Sequence, residues 1–314
     1  MAPRTSFSLI FLSLLLLLHG SQPFSGTTNN IPSHAELFGG VGRLYRATSA
    51  PEKSLAKLEN ANVLVVGIGG VGSWVAEALC RSGVGSLALC DLDDVCVSNI
   101  NRQVQATVPT VGQMKVDALT SQLLSINPNI SVTKIMDFVT ASNIDSVCDF
   151  SSFTVVVDCI DDARDKAAII NKCHETGTTV VTVGGGAGLR DPTQIAIKDI
   201  TKAGDDKLLF WVRKHLRQKY GFPGGPKNGQ KNNHRPKKWG VWAVSSEERS
   251  PSSKTTLPPG PGGSLRRCDS HLGTAVFTTG ALGFAAASKV VDMIVHEELI
   301  KVDIRKVDGR GDND

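Results

Sequence analysis

Apolar and polar positions fall in alternating blocks along this chain. Short runs dense in Val, Ile and Leu near 61–67, 86–91, 131–136, 153–158 and 179–183 are separated by stretches near 72–82, 112–126 and 163–176 that read as helical. Strands alternating with helices build a parallel sheet covered on both faces, so the pattern predicts an α/β fold with a doubly wound, mostly parallel sheet. Gly184-Gly-Gly-Ala-Gly188 reads as a turn before one more strand over Thr193–Lys198. Thr274 to Leu299 is apolar with small residues throughout, which predicts a closing helix on the sheet or at a dimer interface. It is too mixed, and ends in too many charges, for a membrane span.

The first strand runs into the chemistry. Val63-Leu-Val-Val-Gly-Ile-Gly-Gly-Val-Gly-Ser73 places Gly67, Gly69, Gly70 and Gly72 between strand and helix. Backbone N–H groups can close on phosphate oxygens there, with the positive end of the following helix behind them. The same spacing also serves hydride-transfer enzymes and unliganded tight turns. Asp91 ends the second strand about 20 residues on, where a carboxylate accepts ribose hydroxyls. Then come Asn99, Arg102 and Gln103 in Ser98-Asn-Ile-Asn-Arg-Gln103, and Lys115 in Val111-Gly-Gln-Met-Lys115. A dehydrogenase has no need of such cations beside its pyrophosphate. An enzyme that cleaves between the α- and β-phosphates does, because charge builds on the leaving group. A third strand, Val155-Val-Val-Asp-Cys-Ile-Asp-Asp162, also ends in acids.

The run of D-x-D, S-N-x-x-R-Q and V-G-x-x-K resembles the ubiquitin-activating superfamily of adenylating enzymes. His34-Ala-Glu-Leu-Phe-Gly-Gly-Val-Gly-Arg-Leu-Tyr45, Ile126-Asn-Pro128, Asp137-Phe-Val-Thr140 and Asp191-Pro-Thr-Gln-Ile195 narrow the resemblance to the tRNA threonylcarbamoyladenosine dehydratases, over about residues 36 to 299. Its later part is looser, since Val244-Ser-Ser-Glu247 and Cys268 align only across an altered, low-complexity insert. The resemblance implies a Rossmann-like adenylating fold with an added C-terminal tRNA-facing segment. It also implies ATP-dependent closure of threonylcarbamoyladenosine in tRNA to its cyclic form, through an acyl-adenylate. Carried over residue by residue, ATP falls to Gly67, Gly69, Gly70, Gly72, Asp91, Asp93, Asn99, Arg102, Lys115 and Asp161, with Mg2+ on Asp161. Arg102 and Lys115 take the charge of departing pyrophosphate. Arg43 matches an arginine that reaches into the partner's ATP site, which makes a homodimer the expected assembly. Cys268 follows Leu265-Arg-Arg267 at the position of a family cysteine, although direct cyclisation needs no thioester. The resemblance leaves room for a sulfur-transfer partner protein.

Seven cysteines contain no C-x-x-C pair, so zinc is not expected, and with one exposed thiol candidate and a reducing site of action disulfides are not expected either. That counts against the alternative, an activator of a ubiquitin-like sulfur carrier or modifier protein, whose relatives often carry paired zinc cysteines. The net charge of +4 is unevenly spread: no acid lies between Lys207 and Ser246. The cations there include Arg213, Lys214, Arg217, Lys227, Lys231, Lys237 and Lys238, interleaved with Trp211, Tyr220, Phe222, Trp239 and Trp242. Phosphate attraction with aromatic faces suits an RNA substrate; a solvated basic loop is the plainer alternative. The expected organisation is a targeting leader over 1–33, an ATP-binding core over 34–200, a basic substrate-facing insert over 201–270, and a closing helix and polar tail over 271–314. Arg4 and the short apolar run Phe7–Leu18 resemble a secretory-type signal. A tRNA enzyme has no substrate in the secretory lumen, so a two-part plastid leader or a mitochondrial address is expected, with tethering to a membrane as the alternative.

Overall fold

Why the apolar runs fall where they do is visible in a computed structural model, which describes residues 31–224, 238–248 and 272–299. All elements below belong to the unit His34–Asp314. Five parallel strands carry the core: β1 (Asn62–Val66), β2 (Ser86–Cys90), β3 (Ser131–Ile135), β4 (Val155–Asp158) and β5 (Thr179–Val183). Two more, β6 (Ile195–Asp199) and β7 (Trp242–Ser246), complete a seven-stranded sheet in the order β3-β2-β1-β4-β5-β7-β6. Only β6 runs antiparallel, against β7. The helices are α1 (His34–Leu44), α2 (Pro51–Glu59), α3 (Gly72–Arg81), α4 (Lys115–Ile126), α5 (Ala163–Thr176), α6 (Lys207–Lys219) and α7 (Val276–His296).

Period-two alternation sorts the strand residues into two cores. Val63, Val65, Leu87, Leu89, Val155 and Val157 face α3, α4 and α7, while Leu64, Val66, Ala88 and Val156 face α5 and α6. A fully buried Val or Leu contributes roughly 1.5–3 kcal/mol, so burial on both faces explains why β1, β4 and β5 read as unbroken apolar runs. The edge strand β3 is half exposed and carries Lys134, a residue that discourages further pairing. Helix ends follow side-chain chemistry. Asp162 accepts from the N–H groups of Arg164 and Asp165 to start α5, Gly177 ends it in the left-handed region, and Asp206 accepts from Leu209 N–H to start α6. Trp74 of α3 lies against Gly280 and Gly283, so small residues let α7 approach closely. By length and composition α7 could cross a membrane, but 67% of its apolar window is buried inside the fold.

The sheet order reverses between β1 and β4, which opens a crevice beyond their C-terminal ends. Two departures from the sequence reading stand out. The basic stretch contributes α6 and β7 to the fold itself, because β7 inserts between β5 and β6. Helices α1 and α2 precede the sheet where no element was expected.

Candidate nucleotide-binding site

The glycine turn fits its task because side chains are excluded from it. Gly67 has φ of 79°, and a Cβ there would lie 2.9 Å from Ile160 Cγ2. A Cβ on Gly72 would meet the Gly67 carbonyl oxygen at 1.9 Å. Backbone therefore packs against backbone between β1 and α3, and the loop between them stays open to a ligand. Gly70 lies beneath the stem of Arg102, whose Cδ would be 3.3 Å from a Cβ at that position. Gly69 is nearest Gln103, at 3.8 Å from such a Cβ.

Asp91, just past β2, joins the loop to the acids that follow. One carboxylate oxygen accepts from Ile68 N–H at 2.9 Å and the other from Asp93 N–H at 2.9 Å. Burial pushes its carboxyl up from the ordinary value, with Lys115 and the two N–H donors pulling it back. Lys115 opens α4 and is itself buried, with its Nζ 2.7 Å from Asp93 Oδ2 and 3.9 Å from Asp91 Oδ1. Asn99 is buried and shapes the turn, accepting Cys96 N–H at 3.0 Å. Arg102 donates to Ser98 O at 2.6 Å and to Asn101 Oδ1 at 3.0 Å, while its own carbonyl accepts from Trp74 Nε1. Asp161 is exposed on the turn after β4, which is stitched to the first strand by Cys159 N–H donating to Val66 O.

Beneath that turn lies a network the sequence reading missed. Lys166, fully buried, sits 3.0 Å from Asp158 Oδ2, and Thr182 Oγ1 donates to the same oxygen at 2.7 Å. The signal was an acid and a lysine, eight residues apart, inside otherwise apolar patterns. Gln105 was missed as well: its Nε2 donates to Ile68 O at 3.0 Å, bracing the glycine loop from below.

The basic stretch divides. Arg213 is buried and donates to the carbonyls of Ile200 and Ala203, so it holds α6 to the preceding turn and does not face a substrate, contrary to expectation. Phe222 and Trp239 are core residues, and Trp242 is covered by Lys289, 4.3 Å from its ring centroid. Lys214 lies over the Trp211 ring, Arg217 over Trp239, and Lys238 is exposed. Lys227, Lys231, Lys237 and Cys268 lie outside the described residues. Arg43 is exposed on α1, folded back over Gly39. Burial pushes the thiols of Cys80, Cys90 and Cys159 up to about 12 and that of Cys148 to about 11, which removes them as nucleophiles near neutral pH.

This arrangement brings the glycine turn, the buried Asp91 carboxylate and the side chains of Arg102 and Lys115 together at the C-terminal edge of the sheet. A family model for ThiF matches residues 41–309. The chain belongs to the ThiF family. The tRNA threonylcarbamoyladenosine dehydratase of Haemophilus influenzae is 38% identical to this ThiF-family chain over 268 residues, 85% of this chain and 97% of that protein. The Escherichia coli protein of the same name is 38% identical over 257 residues, 80% of this chain and 90% of that one. The crystal structure of the Escherichia coli dehydratase in complex with ATP matches with a TM-score of 0.70 at 36% identity, covering 85% of this chain and 98% of that chain. These relatives come from bacteria, which have neither plastid nor mitochondrion. That overturns the expected organelle address. An apolar run such as Phe7–Leu18 specifies hydrophobicity and no destination, and residues 1–30 lie outside the described residues.

Proposed function

We propose that this ThiF-family protein uses ATP to dehydrate N6-threonylcarbamoyladenosine in tRNA to its cyclic form. The observation that carries the reading is the crevice itself: Asp91, Lys115 and Arg102 converge on the glycine turn, in a chain whose relatives over nearly their full length are dehydratases of that nucleoside. A carboxylate is a poor electrophile, so the threonyl carboxylate oxygen attacks the α-phosphorus and pyrophosphate leaves. An atom of the same threonylcarbamoyl group then attacks the activated carbonyl and AMP departs, closing the ring. Holding both ends together makes that step effectively unimolecular. Asp91 seats the ribose. Arg102 and Lys115 take the pyrophosphate charge, and Lys115 is held in place by Asp93 until a phosphate competes for it.

Among the described residues no three or more of His, Cys, Asp and Glu gather as a metal cluster. A lone exposed carboxylate suits Mg2+, which binds through one or two carboxylates and substrate phosphates. Asp161 would hold that ion, which supplies charge neutralisation at the phosphates. We assign Arg43 to the partner's site in a homodimer, and the basic face that includes Lys214 and Arg217 to tRNA. A sulfur-transfer partner protein belongs to the same reading. The full chain incubated with Mg-ATP and tRNA bearing the nucleoside should remove one water from it, read by nucleoside mass. Intact nucleoside alongside pyrophosphate exchange on a sulfur-carrier peptide would overturn this in favour of a protein-activating enzyme.

A further inference from the structure

Helix α6 presents an outer face that the core does not use. Leu209, Val212, Arg213 and Leu216 point inward, which leaves Lys207, Phe210, Trp211, Lys214 and Arg217 on the other side. Phe210 and Trp211 are 54% and 47% exposed, an unusual outlay for two large aromatics in one turn. They touch edge to face, with ring centroids 5.6 Å apart, and Lys214 Nζ stands 4.5 Å from the Trp211 centroid. No acid occurs on this helix or in the chain from it to Ser246.

The two ends of α6 fix where this face looks. Asp206, which caps its first turn, also accepts Gly185 N–H at 2.9 Å from the loop beyond β5. Its last turns meet the first turn of α5 across a cavity of about 430 Å³ lined by Thr140, Ser142, Arg164, His215, Lys219 and Tyr220. The one acid at that cavity, Asp165, is engaged by Ala141 N–H at 2.8 Å, and Arg164 keeps a loose pair with Asp162 at 3.7 Å. Both contacts lie at the C-terminal edge of the sheet, the edge that carries the nucleotide crevice.

The geometry points to Phe210 and Trp211 as a stacking platform for an unpaired base of the tRNA, with Lys214 and the Arg164–His215–Lys219 cavity receiving the adjoining phosphate. Aromatic rings with interleaved cations and no acids match a single-stranded RNA segment, whose bases offer π-faces and whose backbone is anionic at every step. An exposed ring face tolerates any base, so it supplies affinity and orientation while the crevice selects the modified adenosine. The inference rests on the function proposed above and adds where the substrate loop is held.

The test uses the full chain and tRNA carrying threonylcarbamoyladenosine, with binding followed by anisotropy across a salt series. F210A/W211A should bind roughly 5- to 100-fold more weakly at an unchanged salt slope, since stacking and not phosphate contact is lost. K214S/K219S should instead shallow the slope by about 1 to 2. Thermal melting and ATP affinity report whether F210A/W211A is folded. Independently, tRNA should quench a fluorescence component of the native chain that is missing in W211F. Equal affinity of F210A/W211A and the native chain, or identical quenching in W211F, overturns the platform. Self-association abolished by F210A/W211A with tRNA affinity unchanged also overturns it, assigning the patch to a second copy of this chain. A native chain that binds no tRNA overturns the function reading instead.

Discussion

Asp161 and Gly72 do opposite things to the same crevice, one by what it offers and the other by what it lacks. Asp161→Ala removes an exposed carboxylate that no core contact depends on. Pyrophosphate exchange should be abolished with the melting curve unchanged, and full exchange would overturn the Mg2+ role proposed for that residue. Gly72→Ala drives a methyl group into the Gly67 carbonyl, so the loop must shift. The expected result is about 1–3 kcal/mol lost from folding together with weakened ATP binding, measured by denaturant unfolding and calorimetry. The thiols give a pH test. Cys80, Cys90 and Cys159 rise from 9.0 to about 12 in the fold, so the protonated forms favour the native state. That contribution is complete below about pH 9 and is lost as pH climbs towards 12, so alkaline unfolding should set in across this window. Alkylation at pH 8 should leave these three unlabelled until the chain is unfolded.

At the scale of elements, the buried Asp158–Lys166 pair ties the end of β4 to α5 directly under the turn that carries Asp161. Lys166→Met leaves an uncompensated carboxylate and should cost roughly 3–5 kcal/mol, while Asp158→Leu combined with Lys166→Met should recover most of it. A double variant no better than the single one would mean the pair is not the coupling. The pair also marks the limit of what a sequence discloses. Strands such as β1 and β5 were legible because burial on both faces demands continuous apolar residues, and the glycine turn because its spacing is tied to backbone approach. The strand β7 was not, since Trp242-Ala-Val-Ser-Ser246 lies in a cationic stretch and its place depends on pairing with distant β5 and β6. Arg213 and Trp239 misled for the same reason. Composition reports charge and aromaticity, whereas packing decides which of those side chains meet solvent.

At the scale of the whole molecule, the role proposed for Arg43 can be tested, because a side chain on α1 that served a neighbour's site would make two crevices interdependent. Arg43→Ala and Asp161→Ala should each be inactive alone. Mixed and allowed to exchange subunits, they should regain about a quarter of native activity, since half the dimers pair one of each and hold one intact site. No recovery would place Arg43 outside the partner's crevice. The insertion of β7 between β5 and β6 bears on how such a molecule is made. Val181 finds Trp242 only after the whole of α6 has been synthesised and the chain has turned back. Until then the β5 edge of a nearly finished nucleotide core lies bare, a template for any passing strand. Once β5 has left the ribosome, its edge stays unpartnered until β7 follows it out. Pulse-labelled hydrogen exchange should find the amides of β1, β2 and β4 protected first, and those joining β5 to β7 last.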